Sequence, residues 1–432
     1  MSNQKVLALI DANNFFVSCE RLFRPELATR PVIVRSSNDG CVVARSNEAK
    51  ALGIPMGAPV FKIRHLLKAH NITEFSGSFD LYGDISYRLT ELLRALCPRI
   101  EAYSVDESFL DLSELGIVDY EAWGRVVRAH IWRAIGIPVS IGIAPTKTLA
   151  KLASELAKKQ LEGSGVKSFI GQPEGQLSEA LARIPVQDLW GVGWRLAPRL
   201  KAEGLLTAAD IQTLPPKRAQ QLMGVHGRQL VAELNGTSCM PLEAAGRPHQ
   251  SLSRTRMFGA DTSELGVLEA ALATLGTTAC VRLRSEGLLV RRAGFFLTTN
   301  KHLAGYRRWY TEVTLSTPSA DTGHIIAELQ QQLVTLFNPA QRYHRAGVLL
   351  QDLVPDHRLQ TDLLGYVDIS QHQSSKNRMQ AIDQLNARYG KNKLHYAAED
   401  LSQAWRPRQG LRSPRYTTHW NELPEAAIAL GK

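Results

Sequence analysis

The sequence predicts an α+β chain built from several subdomains, and three observations carry that expectation. Short apolar strands mix with amphipathic helices through residues 1–167. A Gly-rich break at Gly163–Gly165 opens a compact helical stretch over about 168–235. From Gly246 the order turns to β-α-β-β-α-β, the split βαβ arrangement of ferredoxin-like units. At 432 residues there is room for about three domains of roughly 150 residues, each with a sizeable core.

Val6–Asp11 is a short strand of buried character that ends in a carboxylate, and Asn14–Arg24 reads as a helix. Pro31–Arg35 is a second strand. Glu48–Leu52 starts a short helix stopped by Gly53 and Pro55. Phe79–Leu96 carries Leu81, Ile85, Leu89, Leu92, Leu93 and Leu96 at helical spacing, and Pro98 ends it. Glu101–Ser113 reads as a β-hairpin, Ala122–Ile135 as a helix, and Pro138–Ala144 as a strand running into a helix from about Thr146 to Gln160. Beyond Gly246 come strand Ser251–Gly259, helix Leu265–Ser285, strands Leu288–Thr299 and Arg308–Ser316, helix His324–Phe337 and strand Arg342–Leu353. The last seventy or so residues are mixed and weakly periodic.

Apolar residues make up 44% and charged residues 21%, which excludes a disordered or fibrous chain. No apolar run reaches the roughly 18 residues of a membrane span, and Met1–Ile10 lacks the layout of a secretory leader. Five scattered cysteines without a CxxC suit reduced thiols and a cytoplasmic setting, and argue against disulfides or a zinc site. The net charge of +10 and pI of about 9.4 point to a polyanionic partner. Two stretches are densely cationic. Arg282, Arg284, Arg291, Arg292, Lys301, Arg307 and Arg308 face only Glu286, and Arg406, Arg408, Arg412 and Arg415 face no acid.

Asp11 closes an apolar strand, and in open sheets chemistry gathers at the carboxyl ends of strands. Asp106 and Glu107 are neighbours, so on a regular strand they point to opposite faces; a turn is needed for both to serve one site. Three carboxylates from two segments suit a pair of Mg²⁺ ions bound together with phosphate. The same spacing fits solvated turn residues and a helix N-cap, and on spacing alone both readings stay open. Lys147, Lys151 and Lys158 share one helix face, with Lys159 close by and Leu149, Leu152, Ala153 and Leu156 opposite. A basic stripe starting at a free helix N-terminus favours phosphate, although a solvated face is the plainer reading. Arg45 and Lys50 are further candidates for a triphosphate. The run Leu189-Trp190-Gly191-Val192-Gly193 is a candidate helix-hairpin-helix turn, whose backbone N–H groups hold a nucleic-acid phosphate without reading bases; a plain glycine C-cap fits it as well.

Read together, these segments carry a family likeness. Asp11-Ala12-Asn13-Asn14-Phe15-Phe16-Val17-Ser18-Cys19-Glu20 is followed by Phe23-Arg24-Pro25, Pro31-Val32-Ile33-Val34, Asn38-Asp39-Gly40-Cys41-Val42-Val43-Ala44-Arg45 and Glu48-Ala49-Lys50-Ala51-Leu52-Gly53. Then come Tyr103-Ser104-Val105-Asp106-Glu107-Ser108-Phe109, Gly142-Ile143-Ala144-Pro145-Thr146-Lys147-Thr148-Leu149-Ala150-Lys151-Leu152-Ala153, Ala346-Gly347-Val348 and Ser413-Pro414-Arg415-Tyr416-Thr417-Thr418. In this order and spacing the chain resembles the Y-family translesion DNA polymerases over nearly its whole length. It is most like the catalytic subunits of SOS DNA polymerase V and their plasmid- and element-borne relatives.

The resemblance implies a right-hand polymerase: a palm over 1–20 and 75–167, fingers over 21–74, a helix-hairpin-helix thumb over 168–235, a ferredoxin-like little finger over 246–354 and a docking region over 355–432. It implies that Asp11, Asp106 and Glu107, with the Ala12 carbonyl, hold two Mg²⁺ ions, Mn²⁺ being able to substitute. Phe16 falls at the steric gate that rejects a ribose 2′-hydroxyl, and Phe15, Phe16, Arg45, Lys50 and Lys158 at the nucleotide. Phe16 stands in place of tyrosine, Asn47 in place of a triphosphate-contacting tyrosine, and Lys50 in place of a bidentate arginine, which together suit weak nucleotide binding. DNA contacts are expected from Gly191, Gly193, Arg254, Arg256, Arg291, Arg292, Arg307 and Arg308. Gln360, Leu363 and Leu364 resemble a sliding-clamp peptide. The other implied partners are primer-template DNA, deoxynucleoside triphosphates, a UmuD-like cleaved dimer and a RecA-type recombinase filament, acting in the cytoplasm at the nucleoid. A nucleotide cyclase shares the palm and an acidic turn but needs no thumb hairpin or clamp peptide. A non-catalytic DNA-binding subunit has no need of all three carboxylates.

Overall fold

The computed structural model describes residues 5–159, 164–173, 175–243, 249–358, 369–390, 392–399 and 405–424. The chain forms two compact units, one from 1–36, 40–246 and 411–432, the other from 37–39 and 247–410. In the first, the order is β1 (Leu7–Ala12), α1 (Phe15–Leu22), β2 (Val32–Arg35), β3 (Val42–Arg45), α2 (Asn47–Ala51), α3 (Val60–Ala69), β4 (Thr73–Ser76), α4 (Phe79–Leu96), β5 (Ile100–Ala102), β6 (Glu107–Asp111), α5 (Tyr120–Ile135), β7 (Val139–Ala144), α6 (Lys147–Lys159) and β8 (Val166–Ser168). The helices α7 (Gln176–Ala182), α8 (Leu196–Ala202), α9 (Ala208–Gln212), α10 (Pro216–Met223) and α11 (Val225–Leu234) follow.

Every residue of β1 is buried, because it runs through the middle of a sheet covered on both faces, ordered β5-β6-β1-β7-β8. Ala8, Ile10 and Ala12 pack with Val17 of α1, Leu81, Ile85 and Leu89 of α4 and Ile131 of α5. Leu9, on the other face, joins Phe109 and the apolar side of α6. Here Gly142 is required: a Cβ on it would lie 2.1 Å from the Ala150 carbonyl oxygen, so only glycine lets α6 rest directly on β7. A smaller sheet, β3-β2-β4, has its own core of Ile33, Val42, Ile54, Ile63 and Leu67 with α2 and α3. The helices α7–α11 are not free-standing. Leu181, Leu200, Ile211 and Leu234 share one core with Leu9, Phe109 and α6.

In the second unit, β9 (Ser251–Thr262), α12 (Leu265–Ser285), β10 (Leu288–Thr298), β11 (Arg308–Ser319), α13 (Thr322–Leu336) and β12 (Tyr343–Pro355) build an antiparallel sheet ordered β11-β10-β12-β9. Each βαβ is split: β12 lies between β9 and β10, and β10 lies between β11 and β12. Among the described residues α12 is long and apolar enough to cross a membrane by length and composition; it buries Leu268, Leu272, Leu275 and Leu283 in this unit's core. A further helix, α14 (Ile369–Tyr389), docks through charge. Asp383 takes Nε and Nη2 of Arg284 at 2.7 and 2.8 Å, and Arg378 pairs with Asp321. The segment after 355, expected as one docking region, divides between the two units.

Candidate active site

The register of β1 against β6 sets Asp11 directly opposite Glu107, and Leu9 opposite Phe109, on the face that α6 covers. Asp106 sits in the preceding turn, where Tyr103 N and Ser104 N both donate to the Glu107 carbonyl at 3.0 Å. The turn supplies the break that lets adjacent carboxylates serve one site. The Ser104 hydroxyl organises it, donating to Asp106 Oδ1 at 2.6 Å and accepting from Glu107 N at 3.0 Å. Ala12 N donates to the Asp106 carbonyl at 2.8 Å, which ties the end of β1 to the same turn. Asp11, Ala12, Phe15, Phe16, Arg45, Lys50, Asp106, Glu107 and Lys158 all line one cleft of about 270 Å³. Asn14 of the first motif lines it as well, and so do Met56 and Glu155, which no motif marks.

Charge in the cleft is tightly balanced. Asp11 is 4% exposed, and burial pushes its pKa up to about 7; the ion pair with Lys158 opposes this, while the Glu107 and Asp106 carboxylates add to it. Burial works against the charge on Lys158, yet its contact with Asp11 outweighs that and holds its pKa above the ordinary lysine value. Lys151 Nζ lies 2.8 Å from both Glu107 oxygens. Lys50 is pushed down by burial and by the neighbouring Arg45 and Lys158. Arg45 is steadied by donating to the Ile54 carbonyl at 2.6 Å, and Asn47 accepts from Asn14 Nδ2 at 3.0 Å. Each carboxylate has a protein partner, and no three acidic, His or Cys side chains among the described residues close on a single metal position. The donor set nonetheless fits divalent cations: three carboxylates crowd one another, and two lysine ammonium groups rest where added positive charge is needed. Phe16 is held by aromatic contacts, stacked on Tyr82 at 4.4 Å and 13° and edge-on to Phe79 at 5.8 Å.

The basic stripe of α6 does not act as one. Lys147 is buried and bonds Glu101 Oε2 at 2.6 Å and the Pro241 carbonyl at 2.9 Å. The helix N-terminus is also occupied: Thr148 N donates to Glu233 Oε2 at 3.1 Å and Leu149 N to Thr146 Oγ1 at 3.2 Å. The free N–H groups expected there for phosphate are therefore taken up by Glu233 of α11 and by the Thr146 hydroxyl. At Leu189–Gly193, Gly191 has φ +90, a left-handed value that favours glycine. Before this turn stands only the 3-10 turn Val186–Asp188 rather than a full helix, and α8 follows it. Trp190 packs against Tyr103 at 5.6 Å, under Lys151.

In the second unit the expected arginines separate. Arg254 and Arg256 pair in register with Val348 and Ala346, whose side chains enter the core, so they stand at the sheet edge on the helix-covered side. Arg292 and Arg308 lie on the open side, Arg292 pairing with Glu312 at 3.2 Å and Arg308 over the Phe296 ring at 5.0 Å. Arg291 is exposed at the irregular step between Val290 and Arg292, and Arg307 in the turn before β11. Arg345, also over Phe296 at 5.4 Å, belongs to the open face and was missed; its alternation with Ala346 and Val348 in β12 is the signal that marks it. The clamp-like residues Gln360, Leu363 and Leu364 lie outside the described residues.

Solved structures share this architecture. The Y-family DNA polymerase chimera Dbh-Dpo4(243-245)-Dbh superposes with a TM-score of 0.66 over 81% of this chain and 99% of its own, at 21% identity. The insertion ternary complex of Dbh DNA polymerase gives a TM-score of 0.55 over the same shares, at 20% identity. The fold is thus that of a Y-family DNA polymerase. Residues 10–155 match the impB/mucB/samB family, 249–363 match that family's C-terminal domain, and 378–426 match a domain of unknown function (DUF4113). Protein UmuC of Salmonella typhimurium is 36% identical over 97% of this chain and 99% of its own, and Protein SamB of the same species is 34% identical over 98% and 100%. DNA polymerase IV of Moorella thermoacetica is 31% identical over 92% and 96%. The chain belongs to the impB/mucB/samB family.

Proposed function

We infer that this protein is an error-prone translesion DNA polymerase of the SOS type, joining nucleotides to a primer on a template strand. The observation that carries this reading is the single cleft in which Asp11, Asp106 and Glu107 meet Phe16 and Lys158. These carboxylates and the Ala12 carbonyl would hold a pair of Mg²⁺ ions, which would supply acidity for the primer hydroxyl and positive charge for the leaving pyrophosphate. The chain's own groups do the rest. Phe16, fixed on Tyr82, presents a ring under the nucleotide sugar with no room for a 2′-hydroxyl. Lys158, which pairs with Asp11 in the cleft, would offer its ammonium to the triphosphate together with Arg45 and Lys50. Phe15 backs the same wall.

DNA is held by backbone N–H groups at Gly191 and Gly193 and by the cations of the second unit, Arg254, Arg256, Arg291, Arg292, Arg307 and Arg308, joined by Arg345. Gln360, Leu363 and Leu364 tether the enzyme to a sliding clamp, and a UmuD-like cleaved dimer and a RecA-type filament complete the cytoplasmic complex. The first test is Asp106→Asn. Primer extension should disappear while DNA binding persists; extension at the unaltered rate would remove these carboxylates from the mechanism.

A further inference from the structure

Behind Phe16, and facing away from the cleft, lies a buried acid that nucleotide transfer does not use. Glu20 stands one helical turn after Phe16 on α1 and is 0% exposed. Its Oε1 accepts the Tyr82 hydroxyl at 2.6 Å, and the Tyr82 ring is the surface on which Phe16 stacks. Its Oε2 has no hydrogen-bond partner among the described residues. Burial pushes the Glu20 carboxyl up, as expected for an acid removed from water, although Tyr82, Ser413, Arg24 and Arg412 favour its charged form.

What closes over this acid is the carboxy-terminal segment of the same unit. Leu411 exchanges hydrogen bonds with Ser76, from Ser76 N to its carbonyl and from its own N to Ser76 Oγ, both at 3.0 Å. Arg412 bridges in parallel to Ser76 at the end of β4 and pairs with Asp80 in the first turn of α4 at 2.6 Å. Tyr416 stacks on Phe23 just past α1 at 4.4 Å and 15°. Between these anchors Ser413 is 7% exposed, and its Oγ, like Glu20 Oε2, has no hydrogen-bond partner among the described residues. Ser413 is also among the groups that favour the charged form of Glu20, and buried polar groups are almost always paired.

We propose that Glu20, closed in by the strap Leu411–Tyr416, is a positioning residue for sugar discrimination. The strap fixes Glu20, Glu20 fixes the Tyr82 hydroxyl, and Tyr82 sets how far the Phe16 ring projects under the sugar. This rests on Phe16 being the gate. It gives the Ser413–Thr418 motif a role inside the enzyme, where a loosened ring admits ribonucleotides before it slows insertion of deoxynucleotides.

The test is single-nucleotide insertion by the full chain, comparing kcat/KM for a deoxynucleotide and for its ribonucleotide. Glu20→Ala, and separately the double change Arg412→Ala with Tyr416→Ala, should lower the ratio by about tenfold or more while deoxynucleotide kcat stays within about threefold. Glu20→Gln keeps an acceptor for Tyr82 and gains a donor for Ser413, so it should restore the ratio. Ser413→Ala, a small change in the strap alone, should shift the ratio in the same direction and covers the case in which Glu20→Ala does not fold. An equal fall for both nucleotides, or an unchanged ratio in all these variants while Phe16→Ala loses discrimination, overturns the proposal. Full discrimination by Phe16→Ala instead overturns the gate itself, a separate failure.

Discussion

On α6, Lys147 is 5% exposed at its side chain and holds Glu101, whereas Lys158 reaches Asp11 in the cleft. Both are lysines of one amphipathic helix, and their spacing gives them the same face. The partner decides their work. Glu101 comes from β5 and also accepts Glu243 N at 2.6 Å, so it serves Lys147 and a loop together. Breaking a buried ion pair strands a charge, so Lys147→Met should cost about 3–5 kcal/mol of stability in denaturant unfolding without changing nucleotide KM. Lys158→Met should do the reverse, raising nucleotide KM by about tenfold or more through one lost charge-assisted contact, with the fold retained. A raised KM for Lys147→Met would return that residue to the phosphate stripe suggested by its spacing.

At the level of elements, periodic apolar segments were legible and charged docking was not. Helices α4 and α12 have the bounds read from their leucines, and β1 and β7 their apolar runs, because burial on regular faces leaves a local pattern. Helix α3, with Val60, Ile63 and Leu67 at helical spacing, was missed, as were strands β3 and β4, four residues each. Helix α14 has no apolar stripe, since it is fastened by Asp383, Arg378 and Ser375 to residues far back in the chain. Asp321 is the hub. It caps α13 through Gly323 N at 2.9 Å and His324 N at 3.2 Å, and it accepts from Ser375 and Arg378 on α14. Burial pushes its carboxyl up, but hydrogen bonds from Ser375, His324 N and Arg378 outweigh this and hold it below the ordinary aspartate value of 3.8. A depressed acid contributes stability that is present above its unfolded pKa and lost as pH falls through its folded one. Asp321→Asn should therefore cost about 1.5–3 kcal/mol at pH 7, and the gap from the parent should close below pH 3.8 in urea unfolding at stepped pH. A gap constant down to pH 3 would mean that the carboxylate charge is not what fastens the helix.

For the whole molecule, the charge of +10 resolves into separate uses. In the first unit Lys147, Lys151 and Lys158 each pair with an acid, and in the second Arg308 and Arg345 gather around Phe296 on an open sheet face that also carries Arg292. Arg308→Ala and Arg345→Ala should each weaken DNA binding about equally on all sequences and lower the slope of log affinity against log salt by about 1. Insensitivity of that slope would take the open face out of the DNA contact. Asp11, Asp106 and Glu107 could be singled out only through the family resemblance, because their spacing alone fits a solvated turn and a helix N-cap as well. Their shared cleft could not, because it depends on β1 meeting β6 in one register across nearly a hundred residues of chain. The most direct measurement is Mg²⁺-dependent primer extension on undamaged and abasic templates, with and without a UmuD-like partner and a recombinase filament. A translesion polymerase extends the primer opposite and beyond the abasic site under at least one of these conditions, and Asp106→Asn removes that extension. No extension under any of them would contradict the polymerase assignment.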